Sequence, residues 1–268
     1  MTSLLTLPAE LRLQILSHVL QQPRNAGLLR TTPTPKPSLL LDSSYTASRN
    51  LSLLLTCHQF QHDFTQLAFS HTTFVVTDMY SPLATLLRPL QLCQLSSLRR
   101  IAFVAGTRQF EEMVHWCRFP FNTEALRLEE LSVVLHRSAY WIYLSDFTTE
   151  MVGLLRRLEN VKVLRFIRNM AHVKGDFRTW YNRMIGLVLK EDHYQRYDAL
   201  GAPNVESTWW EWSYVEEDVA FELVAQDAKP VIPEDQYMEF VKPKVERLVK
   251  DMELEEEDSD PRSRNGWG

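Results

Sequence analysis

His58 and His62 stand four residues apart, next to Cys57. On a helix that spacing puts both imidazoles on one face, as a zinc ion asks of its ligands. The metalloprotease form of the pattern needs a glutamate directly after the first histidine, and this chain has Gln59. Cys57, Cys93 and Cys117 form no Cys-x-x-Cys knuckle. The apolar setting of Cys57 disfavours a thiolate, which is the form a nucleophilic cysteine needs. No glycine-rich phosphate loop and no Gly-x-Ser-x-Gly turn occurs. The carboxylate runs Glu129-Glu130, Glu216-Glu217-Asp218 and 255–258 read as solvated faces. Paired catalytic carboxylates require a shared concave site, which no spacing here implies. The expectation is a chain with no catalytic residues, no metal and no cofactor.

Two features remain that suit recognition. Trp209, Trp210, Trp212 and Tyr214 crowd one short segment. If it is a strand, Trp210 and Trp212 share a face and Trp209 points to the other. Such a cluster is either a partner surface or a covered repeat edge. Arg99, Arg100, Arg156, Arg157, Arg165 and Arg168 lie along or beside the candidate strands. They either bind acidic peptide or keep the surface hydrated.

Bulk properties narrow the class. The chain has 268 residues, 45% of them hydrophobic, which is enough for a sizeable core. Eight glycines argue against a fold built on glycine-rich nucleotide loops. A net charge of −5 gives no support for nucleic-acid binding, which needs a basic surface. Three scattered cysteines do not make a disulfide framework. The opening residues resemble no signal peptide, and no apolar run approaches the ~20 residues of a membrane span. A cytoplasmic or nuclear protein with no membrane partner is expected.

The elements follow from periodicity. Leu11, Ile15 and Val19 recur every four residues after Pro8, with Leu16 and Leu20 beside them, as on an amphipathic helix. Residues 21–49 carry Pro23, Pro33, Pro35 and Pro37 and read as a long loop-like insertion. Helical character resumes over 51–69. Three segments then share the form Leu-x-x-φ-x-φ, where φ is apolar. They begin at Leu98, Leu128 and Leu158, thirty residues apart. Helix-like stretches separate them. A fixed period of strand and helix is the mark of a stacked repeat. The leucine-rich repeat has such a strand at about 20–29 residues. Further elements are expected at 177–197 (helix), 209–215 and 220–225 (strands) and 234–255 (helix).

Leu7-Pro8-Ala9-Glu10-Leu11, followed by Leu53-Leu54-Leu55-Thr56-Cys57-His58-Gln59-Phe60, resembles the two halves of an F-box-like motif. With the later strands, the arrangement is similar to a large group of F-box-like proteins of filamentous fungi. The resemblance implies a mixed α/β chain. An F-box-like helical head would occupy residues 1–70, with the insertion at 21–49 inside it. A degenerate leucine-rich-repeat-like body would occupy 71–250, and an acidic, disordered tail 251–268. It also implies a non-enzymatic substrate receptor whose head docks on a Skp-type adaptor of a cullin ubiquitin ligase. Leu7, Pro8, Leu11, Ile15, Leu16, Leu54, Leu55 and Phe60 would supply the docking contacts. The body would hold an unknown protein target. The alternative is a scaffold without ligase linkage, whose head only seals the stack.

Overall fold

A six-stranded, mostly parallel sheet carries the chain, with helices packed against one of its faces. The computed structural model describes residues 4–31, 38–78, 82–114, 116, 121, 123–137, 140–141, 148–173, 177–202, 210–227 and 232–256. Cys117, Trp209 and residues 257–268 therefore lie outside the described residues. The amino-terminal elements are α1 (Ala9–Leu20), β1 (Leu28–Arg30), β2 (Leu39–Leu41), α2 (Ala47–Leu51) and α3 (His58–His71). Next come β3 (Thr73–Val76), α4 (Leu83–Leu87), α5 (Leu92–Leu95), β4 (Arg100–Ala105) and α6 (Thr107–Val114). The middle holds β5 (Leu128–Leu135), β6 (Tyr140–Trp141), α7 (Thr148–Arg157), β7 (Val161–Ile167) and β8 (His172–Val173). The chain closes with α8 (Phe177–His193), β9 (Trp210–Val215), β10 (Ala220–Ala225) and α9 (Glu234–Glu256).

The strand order is β3-β4-β5-β7-β10-β9. The first four are parallel, and each crossover advances one position along the sheet. β10 runs antiparallel to both β7 and β9. The expected repeat strands are therefore neighbours, but the period is not constant. Ile101 pairs with Leu131, thirty residues on, whereas Leu131 pairs with Leu164, thirty-three on. The third unit is Val161-x-x-Leu164-x-Phe166; Leu158 is buried just past the end of α7, before that strand begins. The same apolar pattern starts at two places three residues apart, and pairing selects the later one.

Alternation sorts the side chains. Ile101, Phe103, Leu131, Val133, Leu164, Phe166, Phe221 and Leu223 point to the helical face and join one core with α7, α8 and α9. Ala102, Val104, Val134, Ile167 and Ala220 point the other way. Parallel strands buried on both faces read as continuous apolar runs, and β4 shows this as Ile101-Ala-Phe-Val-Ala105.

Residues 22–30 and 38–45 of the insertion cover the second face as a folded layer where a loop was expected, while Pro33, Pro35 and Pro37 lie outside the described residues. β1 and β2 form an antiparallel hairpin, and Leu39 is buried with Leu28 and Leu41 around it. The Leu41 amide donates to Asn169 Oδ1 at 2.9 Å, and Asn169 Nδ2 donates to the Leu135 carbonyl at 3.0 Å. The Leu39 amide donates to the Asp218 carbonyl at 3.1 Å. Gly27 has φ +85°, and a Cβ there would run into Val75. Its position in the layer therefore demands glycine.

A buried ion cluster ties this layer down. The Arg165 side chain is 1% exposed. Its Nη2 donates to Asp218 Oδ2 at 2.7 Å, and its Nη1 donates to Asn25 Oδ1 at 2.7 Å. Glu222 lies 3.3 Å and Glu130 3.6 Å from the same guanidinium. Arg24 reaches in from the insertion to Glu130 at 2.8 Å and Glu222 at 2.9 Å. Arg30 pairs with Asp218. Three guanidinium groups thus balance Glu130, Glu222 and Asp218. Arg165 is neither a binding residue on an open surface nor a hydrated one, and Glu130 and Asp218 are not solvated carboxylates. The register explains why: Arg165 is flanked by Ser132 and Glu222 on the covered face.

α9 spans Glu234–Glu256, near the bounds of the helix expected over 234–255. Tyr237, Val241 and Leu248 bury its inner stripe, while Val245 and Met252 remain partly exposed. Arg165→Met should lower stability by about 3–5 kcal/mol, because it strands carboxylates at a buried site. Urea unfolding measures this; a loss under about 1 kcal/mol would show that the cluster is not a structural anchor.

Candidate functional site: the head and the aromatic strand

The head is built around the seam between α1 and α3. Pro8 (φ −51°) leads into α1, where Glu10 sits at the positive end of the helix dipole. Cys57 caps α3: its Sγ accepts from the Phe60 amide at 3.5 Å. That capping role accounts for the cysteine without any reactivity. His62 Nδ1 lies 3.0 Å from Asp63 Oδ1, and no group of three metal-ligating side chains occurs among the described residues.

α1 splits the expected apolar face: the stripe that turns inward lies about 100° around the helix from Leu11, Ile15 and Val19. Arg12, Leu16 and Leu20 are buried, while Leu11, Ile15 and Val19 are 46%, 40% and 65% exposed. Both sets recur every four residues, so apolar periodicity alone points equally to either stripe. What decides is Arg12. Its Nη1 donates to Asp63 Oδ2 at 3.2 Å, and its guanidinium lies 5.9 Å from the Phe64 ring centroid. The hydrogen bond from His62 holds the Asp63 carboxyl below its ordinary range, and the nearby Arg12 charge adds to that.

The eight proposed docking residues divide accordingly. Leu16, Leu54 and Phe60 are core: Leu16 is 2% exposed, and Phe60 packs edge-on to Phe64 at 5.5 Å. Leu7 is half-buried. Pro8, Leu11 and Ile15 are exposed, and Leu55 is 87% exposed. Exposed Leu5, Leu13 and Val19 on the head were not foreseen as contacts. Val19 belonged to the periodic stripe, and that stripe was the available signal.

The aromatic segment is mostly packing. On β9, Trp210, Trp212 and Tyr214 pair with Ala225, Leu223 and Phe221 and face the helices. Trp210 is buried and its Nε1 donates to the Leu155 carbonyl at 2.7 Å. The Tyr214 ring lies tilted against Tyr181 at 5.6 Å and Phe177 at 6.3 Å. Burial pushes the Tyr181 hydroxyl up to about 12. Trp212 is half-buried, with Lys244 Nζ 4.6 Å from its ring centroid. These residues therefore do not form an open partner surface, because the edge strand lies beneath α8 and α9.

No described helix is long and apolar enough to cross a membrane. Neither a protein-family model, nor a curated protein, nor a solved structure matches this chain.

Two substitutions separate surface from core in the head. Leu55→Ser should change stability by no more than about 0.5 kcal/mol. Phe64→Ala should cost about 3–5 kcal/mol. Denaturant midpoints report both, and equal losses would mean that Leu55 is covered in solution.

Proposed function

We propose that the chain is a non-enzymatic interaction scaffold whose head docks on a Skp-type adaptor, making it a substrate-receptor subunit of a cullin-type ubiquitin ligase. One observation carries this reading: the outward stripe of Leu11, Ile15 and Val19 on α1, with Leu5, Leu13 and Leu55 also exposed on the head. Helix recognition by a groove uses apolar anchors at this spacing. Of these residues, Leu11, Ile15 and Leu55 are among the adaptor contacts that the F-box-like resemblance implies, whereas Leu5, Leu13 and Val19 are not. Exposed apolar side chains on a helix whose other face is fully used are costly in water unless something covers them. Catalysis would belong to other subunits, so the receptor needs no nucleophile of its own.

A second reading also has support. Leu16, Leu20, Phe60 and Phe64 of the head share one continuous core with the sheet. That continuity suits a head that seals the first edge of the stack, as a capping unit does. The two readings differ in what the outer stripe is for.

Ile15→Asp tests the distinction. Purified chain and Skp-type adaptor should form a complex by size-exclusion chromatography and calorimetry. The substitution should weaken it at least about tenfold, equivalent to 1.4 kcal/mol, and leave the unfolding midpoint unchanged. A wild-type chain that forms no complex would favour the capping reading.

A further inference from the structure

The two edges of the main sheet are finished differently. β3 forms one edge, and side chains of the insertion occupy its outer side. The Thr73 amide donates to Gln22 Oε1 at 2.8 Å, and the Thr73 carbonyl accepts from the Tyr45 hydroxyl at 2.6 Å. β9 forms the other edge. An edge strand presents unpaired main-chain groups, which proteins guard with proline, lysine, a bulge or a very short strand. β9 spans Trp210–Val215, with neither proline nor lysine in it. It pairs with β10 residue for residue, without a bulge.

The register fixes which groups point outward. The Arg168 amide donates to the Val219 carbonyl at 3.3 Å, one step beyond the paired Ala220 and Ile167. Hydrogen-bonded and non-hydrogen-bonded pairs alternate along an antiparallel ladder. Phe221 and Leu223 therefore bond to β7, while Ala220, Glu222 and Val224 bond to Val215, Ser213 and Glu211 of β9. Trp212, between Glu211 and Ser213, turns both its N–H and its C=O to the open edge. Among the described residues, no hydrogen bond reaches either group. The Trp212 side chain faces the helices and is half-buried, whereas Glu211 and Ser213 lie exposed on the other face.

A strand that pairs with its own copy about a two-fold axis must be self-complementary. With the axis at Trp212, this residue exchanges its N–H and C=O with those of Trp212 in the second copy. The two half-buried indoles then meet on the helical side, and cross-strand aromatic pairs are favourable. On the other side Glu211 lies across from Ser213 of the second copy, so no like charges are opposed. Parallel pairing in register would instead set Glu211 against Glu211, which is unfavourable. We propose that the chain forms a two-fold dimer by antiparallel pairing of β9 with β9 of a second copy, which joins the two sheets into one. This interface goes beyond the scaffold reading and does not depend on adaptor docking.

Sedimentation velocity of the purified full chain alone, over a concentration series, tests it. A monomer–dimer equilibrium is expected. Ser213→Glu opposes Glu211 of the second copy at both symmetric positions and should weaken the dimer about fivefold. Adding Glu211→Lys to Ser213→Glu restores opposite charges there and should return the affinity at least to the wild-type level. Residue 213 faces Glu222 of its own chain in both variants, so their difference reports the interface. Circular dichroism checks that each variant folds. In the wild-type chain, amide exchange at Trp212 should slow as concentration rises, while exchange at Ser213, bonded within the chain, stays constant. A chain that stays monomeric throughout the series, a Ser213→Glu dimer as tight as the wild type, a folded double variant that recovers nothing, or Trp212 exchange independent of concentration would each overturn the proposal.

Discussion

The buried guanidinium of Arg165 is the constraint on which the rest of the molecule depends. A charge taken out of water must find its counter-charges in the protein. Arg165 finds them on β5, on β10 and in the turn before β10, and it bonds Asn25 in the insertion. That one side chain therefore joins four stretches of chain that are far apart in sequence. Arg24 and Arg30 complete the balance from above. Without the insertion, Glu130, Glu222 and Asp218 would face Arg165 with two negative charges in excess. The proline-rich segment is thus a structural layer held by charge as well as by Leu39.

This closure bears on where partners bind. In an open repeat stack the sheet face is the natural binding surface. Here residues 22–30 and 38–45 occupy that face, and the helices occupy the other. Among the described residues, the outer stripe of α1 is an apolar surface left open beside them. Its spacing suits a protein groove.

Much of the sheet was readable before any coordinates. The apolar pattern at Ile101 and Leu131 marked parallel neighbours, because period-2 burial and a fixed offset leave few other arrangements. The third strand slipped by three residues because Leu158 and Val161 begin equally good patterns, and only pairing chooses. On α1 the apolar period was clear but its direction was not, since Leu16 and Ile15 are alike in hydropathy. The deciding contact, Arg12 with Asp63, spans fifty-one residues. The same holds for Arg24 with Glu130 and Arg156 with Asp192, each pairing residues that no local pattern joins. Pro23 follows the end of α1, yet a break there does not exclude burial farther along the insertion, as Leu39 shows. The tryptophans were recognised as a cluster, while their covering by α8 and α9 is a tertiary fact.

The most direct measurement of this account is hydrogen exchange along the intact chain. The Leu28 amide bonds within the folded layer, to the Asn25 carbonyl, while those of Leu39 and Leu41 bond out of it to Asp218 and Asn169. If the insertion is an integral part of the sheet, these amides should exchange nearly as slowly as those of β5 and β7. Exchange at the rate of an unstructured peptide would contradict it. The sheet face would then be open, and the case for recognition through the head would have to be rebuilt.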